Sequence, residues 1–347
     1  MRVAVGRWSY DAYLKDVNAQ RERGVREGVP GAIAALPAGR WLLAVSGGRD
    51  SMVLLHAMAA TRREEIVAVA TFDHGSGLPA RRAVDLVTRE AARLRLRVVS
   101  GAAPRAVPRT EAAWRAARHR FLDAWAEELE ATVVTAHTRD DEIETVVQRL
   151  LREAGPRGLA GMRASVRALE GRARVRPLLE VPRVSVHAYA TEAGVAWLED
   201  PTNAEPTFQR NRVRHEILPA LERSRPGFAE WCWQLGGRAA EWRAGLDELL
   251  LDAGVQRIAP DSVMVPVAPF ATCAATEWAV LWPAIAARVG VVMDRRGIAR
   301  AADWAPRARP GQGIPLAGDA RIVRTASTFV VRASGTTAPV PDYILEQ

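Results

Sequence analysis

The chain has 347 residues, 48% of them hydrophobic, with 48 Lys+Arg against 40 Asp+Glu and a formal net charge of +8. That length suggests two domains, or one domain with an appendage, and the lack of any apolar run of about 18 residues argues against a membrane span. The two cysteines, Cys232 and Cys273, are far apart and form no C-x-x-C pair, which argues against a disulfide framework, a zinc site or a cysteine-held cluster.

The positive charge is almost all arginine; Lys15 is the single lysine. Guanidinium forks suit phosphate and nucleic acid, although arginine richness also follows from coding-sequence base composition. The first residues contain no apolar signal-peptide stretch, so a cytoplasmic location is expected.

Residues up to about Leu36 are polar and arginine-rich and suggest one or two surface helices. The run Trp41 to Val45 then reads as a strand covered on both faces. Ser46-Gly47-Gly48 breaks it, and Asp50 and Ser51 open an apolar segment that fits a helix. Such a turn presents backbone N–H groups at a helix N-terminus, where an anion is favoured, and the glycines let backbone and anion approach. It is not the Walker A loop, which needs G-x-x-x-x-G-K-[ST]. The pattern Ser46-Gly47-Gly48-Arg49-Asp50-Ser51 resembles the pyrophosphate loop of the adenylating N-type PP-loop ATPases.

Ile66 to Phe72 reads as a second buried strand, ending in Asp73-His74-Gly75 at the edge where open α/β sheets bind ligands. Asp73 and His74 there either meet a nucleotide or metal, or form a strand-end turn. A helix from about Ala80 to Leu94 and a short strand, Arg97 to Val99, follow. Thr110 is a plausible cap for a helix carrying Glu111, Arg115, Arg118, His119 and Arg120. Positions 111, 115 and 118 share a face, either as a solvated ion-pair stripe or toward RNA or ATP.

Ala131 to Ala136 reads as a further buried strand running into a helix that opens with His137-Thr138-Arg139-Asp140-Asp141-Glu142 and continues to Glu144. Positions 137, 141 and 144 can line one face. Acids at a helix start suit its dipole, yet this cluster is richer than capping requires; its carboxylates suit Mg²⁺ beside phosphates or a cationic amine. A glycine-rich loop, Gly155 to Met162, precedes a basic hairpin or loop, Arg163 to Arg176, a last core strand, Val175 to Leu179, and a helix from about Val181 to Ala193. Glu199 to Asn203 is turn chemistry. Arg210, Arg212 and Arg214 then alternate, as a charged helix face or as a phosphate-binding arm. After Pro219 the character shifts to a tryptophan-bearing helix, Phe228 to Leu251, with Trp231, Trp233 and Trp242 read as packing. Strands at Ser262 to Val267, Arg321 to Arg324 and Phe329 to Arg332 mix with helices at Ala275 to Val289 and Arg296 to Trp304.

The four motifs Ser46–Ser51, Asp73-His74-Gly75, Thr135–Thr145 and Asn203 with Arg210–Arg214 stand in one order, with Gly155–Met162 and Arg176-Pro177-Leu178-Leu179 among them. Over about Trp41 to Pro219 this set resembles the tRNA(Ile)-lysidine synthases, a family of the PP-loop superfamily. The resemblance implies an α/β fold with a doubly wound, mostly parallel sheet and a smaller C-terminal α+β domain. It implies a catalytic ATP-binding domain over 1–220, its first 38 residues a helical extension, and a tRNA-binding domain over 221–347. The reaction implied uses ATP and Mg²⁺ to join free L-lysine to C2 of the wobble cytidine in tRNA(Ile) with a CAU anticodon; a homodimer is left open.

Under that resemblance Ser46, Gly47, Gly48, Arg49, Asp50, Ser51, Asp73 and His74 bind the nucleotide. Asp50, His137, Asp141, Glu144 and Arg212 are catalytic, Asp50 and Asp141 hold the metal, and Arg115, Arg118, Arg210 and Arg214 hold RNA. The chain departs from the family pattern at Thr138, where a second histidine is usual, and at Arg152-Glu153-Ala154-Gly155, in place of Arg-Gly-Ser-Gly. It also departs at Trp114-Arg115-Ala116-Ala117-Arg118-His119, in place of Ala-Arg-x-x-Arg-Tyr, and at Ser76-Gly77-Leu78, where Leu-Arg is expected. A tRNA-thiolating PP-loop enzyme, a small-molecule PP-loop amidotransferase or ligase, and a non-catalytic RNA-binding relative are the rival readings.

Overall fold

A computed structural model describes residues 28–75, 77–104, 110–163, 174–199 and 209–333, without the side chains of 111 and 112. Residues 164–173 of the expected basic hairpin or loop, residues 200–208, which include most of the turn expected over Glu199 to Asn203, and most of the N-terminal extension lie outside the described residues; of the extension, 28–34 is helical. By contacts the chain divides into two units, Met1–Arg238 and Ala239–Gln347.

The first unit is built on five parallel strands: β1 (Trp41–Ala44), β2 (Ile66–Asp73), β3 (Val98–Ala102), β4 (Thr132–Val134) and β5 (Arg174–Val175), in the order β3-β2-β1-β4-β5. Alternate residues of β1 enter different cores. Trp41, Leu43 and Val45 pack with α1 (Arg49–Thr61), α2 (Leu78–Arg93) and, further along, α5 (Arg183–Glu192). Leu42 packs on the other face with Ala68, Ala70, Val133 and the Leu122, Ala126 and Leu129 side of α3 (Glu111–Glu128). A strand with both faces covered needs a continuous apolar run, and β1 has one. The strand expected over Val175 to Leu179 is a two-residue strand followed by a 3₁₀ turn, Pro177–Glu180; Pro177 has no N–H to give a ladder.

The order reverses between β1 and β4, the switch point where open α/β sheets form a crevice at their C-terminal edge. The Ser46–Ser51 turn leaves β1 there, and residues 135–138 leave β4 there to begin α4 (Arg139–Leu151). A third core joins Ile143, Val146 and Val147 of α4 to Val213, Cys232 and Trp233. Val213 belongs to a helical run of three pieces, Gln209–Arg212, a π-turn Val213–Ile217, and Leu218–Ser224. Cys232 and Trp233 start α6 (Phe228–Asp252). This packing carries the first unit to Arg238, past the boundary expected after residue 220.

The second unit holds an antiparallel sheet ordered β6-β7-β10-β9-β8. Its strands are β6 (Gln256–Ala259), β7 (Ser262–Pro266), β8 (Gly313–Pro315), β9 (Arg321–Arg324) and β10 (Thr328–Arg332). Stacked Trp278 and Trp282, 4.6 Å apart, meet Phe329 edge-on in its core. The short edge strands β6 and β8 have no expected counterpart; burial patterns such as exposed Gln256, Arg257 and Ile258 leave no apolar alternation to read. Among the described residues no helix is long and apolar enough to cross a membrane.

Candidate active site

The two glycines of the turn differ. Gly47 has φ +85°, and a Cβ there would sit 2.9 Å from the Cβ of Ala83 on α2 and 3.1 Å from its backbone. Only glycine meets both demands. Gly48 has ordinary extended geometry (φ −75°, ψ 159°), and a Cβ there would meet nothing nearer than Ser46 Oγ at 3.7 Å. Gly48 is the N-cap of α1 and gives it no side-chain cap, so the first-turn N–H groups keep their capacity for an anion. Ser51 fixes the turn: its hydroxyl donates to the Gly48 carbonyl (2.7 Å) and accepts from the Ser46 N–H (3.2 Å).

Asp50 stands in the first turn of α1. Arg183 Nε is 3.9 Å from its Oδ2 and His187 Nε2 is 3.8 Å from its Oδ1. Burial, and next the charge of Asp141, push its carboxyl up to about 6 against the pull of Arg183, Arg214 and Arg49. Oδ1 is buried with no hydrogen-bond partner. Arg49, expected on the nucleotide, is instead held by Glu199, by the face of Trp197 (4.6 Å) and by His187 Nδ1 (2.9 Å). A guanidinium only donates, so His187 Nδ1 accepts and Nε2 carries the proton toward Asp50.

Asp141 and Glu144 are spoken for by arginine. Thr138, the residue in place of the family's histidine, forms a capping box with Asp141: Asp141 Oδ2 accepts the Thr138 N–H (2.8 Å) and hydroxyl (3.1 Å). Asp141 Oδ1 accepts from Arg183 (2.6 Å), Arg210 (2.9 Å) and Arg214 (3.3 Å). Glu144, 1% exposed, takes Arg183 and Arg214 on Oε1 (3.1 and 2.7 Å) and Arg210 and Arg214 on Oε2 (3.1 and 3.0 Å). Burial raises both carboxyls, but the guanidinium charges and hydrogen bonds hold them below the usual range.

The network bears on three expectations. Asp141 has no oxygen left for a metal, and among the described residues no cluster of three or more His, Cys, Asp or Glu suits one. Arg210 and Arg214, four apart and on one helix face, both bond to these two acids. Arg212, expected to be catalytic, falls between them on the exposed side. His137 leaves β4 with Nδ1 2.9 Å from Thr135 Oγ1. Burial drives its imidazole down to about 3, opposed by Asp141 and helped by Arg176, Arg210 and Arg118, so it is neutral and a weak base.

Asp73 forms a local turn, Oδ1 accepting the Gly75 N–H at 2.7 Å. His74 joins an aromatic row with Phe72 and Trp114. On α3, Arg115 is exposed and Arg118 half-buried. Next to them Arg174 bonds Asp123 (2.6 Å) and contacts His119, whose imidazole falls to about 4 through burial, then through Arg174 and Arg115.

Sequence reasoning missed Arg183, His187 and Glu142. Arg183 had a signal, a cation in the first turn of a helix, where the dipole disfavours it. Glu142, read as one of a capping group, is fully buried and accepts the Met162 N–H at 2.8 Å, fixing the glycine-rich loop. That loop contains a helical turn, Pro156–Leu159, and Arg149 bonds the Gly158 carbonyl.

The family model of the PP-loop domain, named for ATP binding, matches residues 22–221. A tRNA(Ile)-lysidine synthase of Rhodopseudomonas palustris is 40% identical over 230 residues, 63% of this chain and 64% of that protein. One from Alkalilimnicola ehrlichii is 40% identical over 221 residues, 61% of this chain and 48% of that protein. One from Salinispora arenicola is 40% identical over 239 residues, 65% of this chain and 69% of that protein.

The chain belongs to the PP-loop family, within it to that of the tRNA(Ile)-lysidine synthases.

It spans less than two thirds of the length of the first two of these relatives. Among solved structures, a tRNA thiolase of Methanococcus maripaludis with its iron–sulfur cluster matches at TM-score 0.50 and 14% identity, covering 67% of this chain and 82% of that one. That likeness is one of fold. The PP-loop match places the Ser46–Ser51 turn and the switch point inside the family's common core.

Proposed function

We propose that the protein ligates free L-lysine to C2 of the wobble cytidine of tRNA(Ile) with a CAU anticodon, consuming ATP and releasing AMP and pyrophosphate. The observation that carries this reading is the Ser46–Ser51 turn, uncapped at the helix start and set at the switch point of a chain about 40% identical to enzymes of that name.

In the first step the C2 carbonyl oxygen attacks the α-phosphorus, the α–β P–O bond breaks, and pyrophosphate leaves on the turn's N–H groups and the Ser46 hydroxyl, with Ser51 holding the turn. In the second, the lysine ε-amine attacks C2 and AMP departs with the former carbonyl oxygen. Mg²⁺ usually takes one or two carboxylates beside substrate phosphates, and Asp50, with a buried unpartnered oxygen, fits that role. Bound there, Mg²⁺ would screen the charge of the triphosphate. The lysine ammonium would reach Asp141 and Glu144 only by exchanging with a guanidinium. His137 would position rather than deprotonate it. Arg115, Arg118 and Arg212 would meet tRNA phosphates.

Support for thiolation is weaker: Cys232 is buried in the third core, where burial pushes its thiol up to about 12, the opposite of an activated sulfur. The test mixes protein, ATP, Mg²⁺, radiolabelled lysine and CAU-anticodon tRNA. Label in that tRNA and in no other is expected; no label there, with sulfur entering the tRNA in a parallel mixture that contains a sulfide donor, would establish the rival.

A further inference from the structure

A row of rings climbs from the sheet to its C-terminal edge. It starts at Phe121, pressed so closely on Gly101 that a Cβ there would lie 2.6 Å from the ring. Phe72, at the end of β2, follows at 5.2 Å, then His74 at 5.4 Å, then Trp114 at 6.4 Å, tilted 40°. The first members are ordinary packing. Trp114 ends the row and is half-buried, as Phe121, Phe72 and His74 are, rather than sealed in a core like Trp278 and Trp282, which are 2% and 0% exposed. It stands in the first turns of α3, whose backbone starts at the Thr110 cap, on the edge of the sheet that binds ligands.

The described charges on its own helix nearest to it are basic, with Asp73 adjoining His74 on the strand side. From Ala113 to Leu122 the charged side chains of α3 are Arg115, Arg118 and Arg120, with His119 held neutral; the acids Asp123, Glu127 and Glu128 come later. Arg174 lies beside His119 and is paired with Asp123. A half-exposed aromatic ring beside arginines, ending a row of rings at a ligand edge, is the composition of a platform for an unpaired base: the ring stacks and the cations follow the backbone.

We infer that Trp114, backed by His74, stacks an unpaired nucleobase of the RNA substrate. This rests on the RNA-modifying reading above. Such a stack lets Trp114 select among RNA loops.

The probes are an anticodon stem-loop RNA with a CAU loop, a series of the same RNA with one loop base removed at a time, and ATP. Trp114→Ala should bind the intact RNA about tenfold or more weakly, in line with the loss of one base–aromatic stack. Against one member of the abasic series it should bind as the parent does, because the stacking partner is already gone. Trp114→Phe should keep most of the affinity, and ATP binding by equilibrium dialysis should be unchanged in both variants. Equal binding of intact RNA by parent and Trp114→Ala, or an equal loss across the whole abasic series, overturns the inference. A loss confined to ATP also overturns it, by assigning the ring to adenine. If the parent itself binds no RNA, the underlying reading falls as well, which separates that failure from the others.

Discussion

Arg183 Nη2 lies 2.6 Å from Asp141 Oδ1, and the same guanidinium reaches Glu144. The pair joins the start of α5 to the start of α4 across the crevice where β1 and β4 diverge. Removing one partner of a buried pair leaves a desolvated charge and costs about 3–5 kcal/mol. Arg210 and Arg214 remain on the same acids, so Arg183→Ala should fall near the lower end, about 3 kcal/mol, in urea unfolding. Glu144→Ala should cost more, because three guanidiniums then share one carboxylate. Equal stability of both variants and the parent would mean that the network is solvated.

The two glycines of the first turn should separate stability from turnover. Gly47→Ala strains a left-handed backbone and meets Ala83, so it should lower stability by about 1–3 kcal/mol. Gly48→Ala has room and ordinary geometry, so its melting temperature should stay near that of the parent while AMP formation falls. Retained turnover in a folded Gly48→Ala protein would mean that no phosphate approaches that backbone.

Glu153 makes the complementary case. It stands where the resembled family has glycine, and its φ is +54°. Glu153→Gly should therefore stabilise the fold by about 1 kcal/mol by relieving the left-handed strain. Thermal unfolding checks this, and a lower melting temperature would contradict it.

Glu142 sets a pH dependence. Burial raises its carboxyl above the ordinary value of 4.5, against the Met162 N–H and the charges of Arg163, Arg149 and Arg176. The native state thus holds this proton more tightly than the unfolded chain. Its contribution is fully present below about pH 4.5 and is lost as pH rises through the folded value. Glu142→Gln removes that titration, so its melting temperature should exceed that of the parent at pH 8 and converge on it near pH 4. A variant less stable than the parent at pH 8 would show an ionised, arginine-paired Glu142.

Arg212 and Arg214 should behave in opposite ways. Arg214→Ala should destabilise the protein, since it strips bonds from Glu144. Arg212→Ala should leave the melting temperature alone, weaken tRNA binding and reduce its salt slope by about one. Identical effects of the two would dissolve the distinction between network and surface.

The legible parts of the molecule are those where one residue type answers one local demand. The run at Trp41, the break at Gly47 and the acid-rich start of α4 stood out because burial, backbone freedom and helix-end electrostatics each leave a mark on the chain. The arrangement of the acids did not. Whether Asp141 and Glu144 meet a substrate or arginines depends on contacts between positions 141 and 210, far apart in sequence and joined only by the third core. The alternation of Arg210, Arg212 and Arg214 was visible, but its phase was not. The π-turn at Val213–Ile217 and the packing of Val213 set which arginines turn inward. Edge strands β6 and β8 were missed because their residues are mostly exposed and lack alternation.

The central claim is that the turn after β1 holds the β- and γ-phosphates so that adenylyl, not phosphoryl, is transferred. The direct test is to incubate the protein with ATP labelled at the α-phosphate, Mg²⁺ and CAU-anticodon tRNA, first without lysine and then with it, and to separate the products. The account predicts α-label on the tRNA and free pyrophosphate before lysine is added, and labelled AMP released afterwards, with neither seen for Asp50→Ala. Formation of ADP and orthophosphate, with no label passing through the tRNA, would contradict it.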